Sequence, residues 1–278
     1  MISTETVTNI ISKSSSKSCS LDPIPTCILK SCLPVLATTI TNIVNLSLST
    51  GHVPPLLKTT CVVPRLKKKS LDPDELSSYR PISNLPFLSK TLKRVVAAEL
   101  NTYLTDSNLF SSLQSAYRRY HSVEIALLGV ANDFLLALDN GNEVLLVLLD
   151  YTAAFDTVNH SILLHRLEHR FGISGTVLCW LKSYLYDRSQ SVKVDGFDSS
   201  SISLNYGVPQ GSVLGPLLFT LYVSPIEDII KYHGLDAMFY ADDTYIALNA
   251  KERSKDLQRL EKCVADIKSY VRFKSFLS

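Results

Sequence analysis

The sequence predicts an α+β fold, an antiparallel sheet backed by helices, and three observations carry that prediction. Phe239 to Thr244 (F-Y-A-D-D-T) sets two adjacent carboxylates between two short apolar runs, the pattern of a hairpin tip between buried strands. Glu143 to Asp150 (E-V-L-L-V-L-L-D) has six consecutive aliphatic residues closed by an acid, the pattern of a central strand covered on both faces. Helical periodicity recurs elsewhere, most plainly over 89–106, where Leu92, Val95, Val96, Leu100, Tyr103 and Leu104 form one stripe. A chain of 278 residues with a hydrophobic fraction of 46% can bury the core such a fold needs and is not disordered. Its longest aliphatic run, 144–149, is too short to cross a bilayer, and no basic start followed by an apolar stretch marks a secretory signal. An intracellular protein, in cytoplasm or nucleus and with no membrane partner, is expected.

Taken in order, residues 1–20 are rich in Ser, Thr and Lys and read as a flexible lead-in. A helical extension follows over 21–57, starting after Pro25, broken near Pro34 and ended by Gly51. From Thr60 to Leu66 a strand leads into Lys67-Lys68-Lys69, ordinarily a solvated basic turn. Lys93 and Arg94 lie off the apolar stripe of the 89–106 helix, where they would meet a nucleic-acid backbone. Arg118 and Arg119 stand between Tyr117 and Tyr120, basic groups interleaved with rings that can stack on bases. A helix over 122–138 ends at the Asn140-Gly141 turn before the Asp150 strand.

Beyond that strand, Asp156 reads as the N-cap of a helix running through Leu167. A second helix covers about 175–186 with Trp180 buried, and two strands, 191–194 and 201–204, flank Asp195-Gly196. In Gly207-Val208-Pro209-Gln210-Gly211-Ser212 the glycines allow close backbone approach to a substrate and Gln210 offers both a donor and an acceptor, although a simple turn before the 213–223 helix fits equally. A charged amphipathic helix over 251–272 follows the acidic pair. Six cysteines without a C-x-x-C pair read as reduced thiols, mostly core fillers.

Charge is unevenly spread. From Lys58 to Arg119 there are 11 Lys/Arg against 5 Asp/Glu, an excess of +6, and from Tyr120 onward 14 against 19, an excess of −5. A basic half opposite an acidic half suits a protein that grips a polyanion with one part and holds metal ions with the other. Adjacent carboxylates repel in a tight turn unless a cation sits between them, and hard oxygen donors are what Mg²⁺ takes. An Asp-Asp tip alone describes a solvated turn just as well. The Asp150 strand, 92 residues before Asp242, supplies the second acidic source.

Five segments in order resemble the reverse transcriptase domain of non-long-terminal-repeat (LINE-type) retrotransposons: Arg65 to Lys69 with Tyr79-Arg80-Pro81-Ile82, Gln114 to Arg119, Asp150-Tyr151-Thr152-Ala153-Ala154-Phe155-Asp156, Gly207 to Ser212, and Tyr240-Ala241-Asp242-Asp243. The resemblance runs from about residue 20 to 271, with the polymerase domain over about 58–271. It implies a right-hand polymerase, fingers over 58–140 and an antiparallel palm over 141–278. The implied reaction copies an RNA template by joining dNTPs to the 3′-hydroxyl of a DNA primer. In that resemblance Asp150, Asp242 and the Tyr151 carbonyl hold two Mg²⁺ ions, with Mn²⁺ the alternative, and Asp243 supports them. Arg65 or Lys67, then Arg80, reach the triphosphate, while Gln210 and Gly211 position base and nucleotide. Phe155 is either the aromatic gate beneath the sugar or a core residue, and Lys68, Lys69, Lys93, Arg94, Arg118 and Arg119 meet nucleic acid. Two departures stand out. The hairpin after Asp243 is about two residues shorter than usual, and neither the thumb nor the preceding endonuclease is found. A catalytically inactive retroelement relic, retaining at most nucleic-acid binding, is the alternative reading.

Overall fold

The structure is a computed structural model that describes residues 1–278 apart from 112, 118–120, 151–154, 210, 242, 251–252 and 276–278, and apart from the side chains of 150, 247–250, 253 and 271–275. The first element corrects the expectation of a flexible lead-in. Thr4–Lys13 is helix α1, whose Val7 and Ile11 are fully buried. Ser3 caps it by accepting the Thr6 N–H at 3.1 Å, and Asn45 clasps Ile2 by accepting its N–H at 2.8 Å and donating to its carbonyl at 2.9 Å. Two apolar residues one helical turn apart suffice to dock a short polar helix, a signal its Ser/Thr content hides. The predicted helical extension is two helices, α2 (Thr26–Ser31) and α3 (Leu33–Thr50), divided at Cys32 and stopped by Gly51 in the left-handed region, φ 65°.

Strand β1 (Thr59–Leu66) pairs antiparallel with β2 (Tyr79–Asn84), which feeds the long helix α4 (Phe87–Asp106). Helix α5 (Val123–Asp139) leads into β3 (Glu143–Asp150), and α6 (His160–His169) and α7 (Gly175–Leu185) follow. Asp156 is not the cap of α6. Asn159 is, its side-chain oxygen accepting the Ile162 N–H at 3.0 Å, because the helix starts three residues later than the sequence suggests. Strand β4 (Arg188–Val194) turns at Asp195-Gly196, both at positive φ, into β5 (Phe197–Asp198), and β6 (Ile202–Leu204) returns along β4. Because β4 also pairs in parallel with β1, the basic strands belong to one five-stranded mixed sheet.

The remaining elements are α8 (Gly215–Val223), α9 (Ile226–Tyr232), β7 (Asp236–Tyr240), β8 (Asp243–Ala250) and α10 (Arg253–Ser275). Strands β7 and β8 form a hairpin that joins β3 in a three-stranded antiparallel sheet of order β3-β8-β7. The return strand forms in full despite the short connection. One core runs through both layers, from Ile11 and Val44 through Leu92, Leu181 and Leu218 to Ile246 and Cys263. Only Cys61 and Cys263 of the six cysteines are buried, so most of these unpaired thiols are not core fillers. Among the described residues no helix is long and apolar enough to cross a membrane.

Candidate active site

The acidic end of the three-stranded sheet is built by register. Along β8 the partners on β3 run from Ala250↔Glu143 to Asp243↔Asp150, and on the other side Tyr240 pairs with Asp243. Directly opposed residues in an antiparallel pair have Cα atoms about 4.5–5.5 Å apart and side chains on one face. Asp150 and Asp243 are therefore backbone partners at the end of the sheet, while Thr244 and Ile246 point away from the Asp243 side and are buried, 2% and 0% exposed. Asp242 and Tyr151 lie outside the described residues, and the connection between Tyr240 and Asp243 is two residues long. That connection is tight enough to hold Ala241 at φ 58°, a left-handed conformation unusual for alanine. Helix α5 covers this face from one side: Val123, Ala126, Leu127 and Val130 enclose a cavity of about 190 Å³ with Met238, Tyr240, Asp243 and Tyr245.

Two further predicted segments are stitched to this end. The Gln114 segment bonds to β7, with Ser115 N–H donating to the Phe239 carbonyl at 2.9 Å and Phe239 N–H to the Leu113 carbonyl at 2.8 Å. Its continuation turns at Tyr117, which sits at φ 60°, and then reaches Arg118 and Arg119, both outside the described residues. The glycine loop packs on the segment after Asp150. Gly207 N–H donates to the Val158 carbonyl and Val208 N–H to the Phe155 carbonyl, each at 2.8 Å. Gly207 has φ 81°, and a Cβ there would meet the Asp156 carbonyl oxygen at 2.9 Å, so only glycine permits this approach. Gly211 faces the Ser83 carbonyl of β2, which sets the loop between the two sheets, whereas Gln210 is outside the described residues. Phe155 is half-buried with its ring centre 5.3 Å from that of Phe219, a placement at the core margin that suits either of its two readings. Asp156 is exposed by area, yet the protein around it desolvates the carboxyl and raises its pKa.

On the five-stranded sheet, Arg65 and Arg80 are direct cross-strand partners and both are exposed. Opposed guanidinium groups repel, a repulsion that an anion between them would relieve. Lys67 follows the strand, its N–H donating to the Ser78 carbonyl at 2.9 Å, and Lys68 and Lys69 are exposed beside it. Lys93 is a correction. It is 1% exposed and cannot meet a nucleic-acid backbone, because α4 is buried on a second side against α7 and β4. Its ammonium lies 5.3 Å from the centre of the Tyr184 ring, and Arg188, 2% exposed, lies 5.2 Å from the same ring. Burial first, and then the Arg188 and Lys90 charges, hold the Lys93 pKa well below the ordinary lysine range. Arg94 is half-buried.

Sequence reasoning missed His160. It is buried, and its Nε2 lies 2.8 Å from the Gly207 carbonyl, bracing the glycine loop. Burial lowers its pKa, which favours the neutral ring. No spacing or composition announces that role.

Residues 66–276 match the family described as reverse transcriptase (RNA-dependent DNA polymerase). The chain is 33% identical over 215 residues to the RNA-directed DNA polymerase from mobile element jockey of Drosophila melanogaster, covering 75% of this chain and 23% of that protein. It is 35% identical over 171 residues to the probable RNA-directed DNA polymerase from transposon BS of the same organism, covering 60% and 19%. The chain thus spans about a fifth of the length of these curated relatives. Among solved structures, apo telomerase from Candida tropicalis, truncated from its C-terminal domain, superposes with a TM-score of 0.54 at 14% identity over 82% of this chain and 51% of that one, a likeness of fold.

Proposed function

This chain belongs to the reverse transcriptase family, as a domain homologous to the RNA-directed DNA polymerases of non-long-terminal-repeat retrotransposons, and from that premise we propose that Asp150, Asp242 and Asp243 form a nucleotidyl-transfer centre using Mg²⁺. The observation that carries the reading is the register that sets Asp150 opposite Asp243 across 93 residues of sequence. Carboxylate oxygens are the hard donors that a divalent ion takes up. Asp150, Asp242 and the Tyr151 carbonyl would hold the metal, and Asp243 would support them. A divalent ion held there would supply activation of a 3′-hydroxyl and charge neutralisation at pyrophosphate.

The chain's own residues do the rest. Arg65 and Arg80 offer paired forks to triphosphate oxygens, with Lys67 beside them. Gln210 and Gly211, on the loop braced by His160, would seat base and nucleotide. Phe155 would close the space below the sugar against a 2′-hydroxyl, selecting dNTPs. An RNA template and a DNA primer would be held through Lys68, Lys69, Arg118 and Arg119.

Primer extension on an RNA template with Mg²⁺ tests the proposal beside Asp242→Asn. Extension that the variant loses supports it. Salt-sensitive RNA binding without any extension would leave a binding domain and defeat the catalytic reading.

A further inference from the structure

We infer that the outer face of α5, together with the exposed side of β3, is a docking site for a basic amphipathic helix of another polypeptide. A helix that is apolar all round belongs in a core, yet α5 buries only Ala126 and Ala137 among its described side chains. Its outward side carries Leu128, Ala131, Leu135 and Leu138, spaced three, four and three residues apart, and the leucines are 69%, 62% and 61% exposed. That alternation of three and four is the seam along which one helix receives another. Strand β3, which packs against α5 at the edge of its sheet, adds Leu146 and Leu148 at 41% and 63% exposure. Apolar exposure on this scale and at this periodicity marks an interaction surface rather than scattered surface residues.

Charge identifies the partner. From Ser122 to Asp150 the sequence has five Asp/Glu and no Lys or Arg, and Glu124 and Asp139 lie at the two ends of the seam. A second copy would bring the same acidic flanks into apposition, which like-charge repulsion disfavours, whereas Lys or Arg beside an apolar stripe would complement them. The inference is independent of catalysis, because it needs no metal, nucleotide or template.

The test uses the full chain and fluorescein-labelled synthetic helices matching α5 in length: one with leucines at the same three-four spacing flanked by lysines, one with the lysines replaced by glutamates, and one with the lysine peptide's composition scrambled. Anisotropy should show saturable binding of the lysine peptide alone. Leu128→Gln with Leu135→Gln should weaken it about tenfold or more while circular dichroism and melting stay those of the parent. The separate Leu146→Gln with Leu148→Gln variant should also weaken it. Equal binding of the scrambled peptide, or unchanged binding by both variants, would overturn the inference. So would sedimentation showing a dimer that Leu128→Gln with Leu135→Gln dissociates, since a second copy would then own the face.

Discussion

In the three-stranded sheet the acidic residues sit at the paired ends of strands, whereas in the five-stranded sheet the basic residues project from an exposed outer pair or lie buried beneath it. The two kinds of charge are held by different means. Asp243 is fixed by pairing on both sides, with Asp150 and with Tyr240, so its backbone cannot shift without breaking two ladders. Arg65 and Arg80 are cross-strand partners whose long side chains are exposed. A rigid acidic end and an adaptable basic edge suit a centre where metals need set geometry and a passing polyphosphate does not.

Four measurements would tell the two regions apart. The largest effect should come from Asp150→Asn: extension should fall at least the roughly 100-fold that a lost outer partner of a metal costs, with the melting temperature little changed. A variant that keeps its rate would sever the acidic end from chemistry. Next, Gly207→Ala forces a Cβ against the Asp156 backbone at positive φ, and urea unfolding should show a loss of roughly 2 kcal/mol or more. Arg65→Ala and Arg80→Ala should each raise the KM for dNTP more than they lower kcat, and the double variant should be less than additive because both serve one anion. Strict additivity would separate their roles.

The smallest effect concerns the buried lysine. Lys93 has a folded-state pKa below its unfolded value near 10.4, so the unfolded chain binds more protons between those two values and stability rises with pH through that window. Lys93→Met should flatten the rise and add about 1 kcal/mol near neutral pH. A destabilised variant would show that the contact with Tyr184 outweighs the cost of burying the charge.

Legibility in the sequence followed the same divide. Strands β3, β7 and β8 were readable because aliphatic runs ending in acids have few other solutions, and the glycine loop because Gly207 marks a close approach. Helix α1 was not, since two docking residues in ten are too few for a pattern. Lys93 was misread because the stripe of Leu92, Val95 and Val96 shows one buried face of α4, and nothing local shows that a second helix closes over its flank. Distant packing of that kind has no signature in a single chain.

The doubly held strand β8 also says which genetic accident this domain would survive least. One extra codon between Tyr240 and Asp243 would rotate every later side chain to the opposite side, carrying Ile246 into solvent and the acid into the interior. Two extra codons would restore the alternation, so drift in the length of this connection should proceed in even steps.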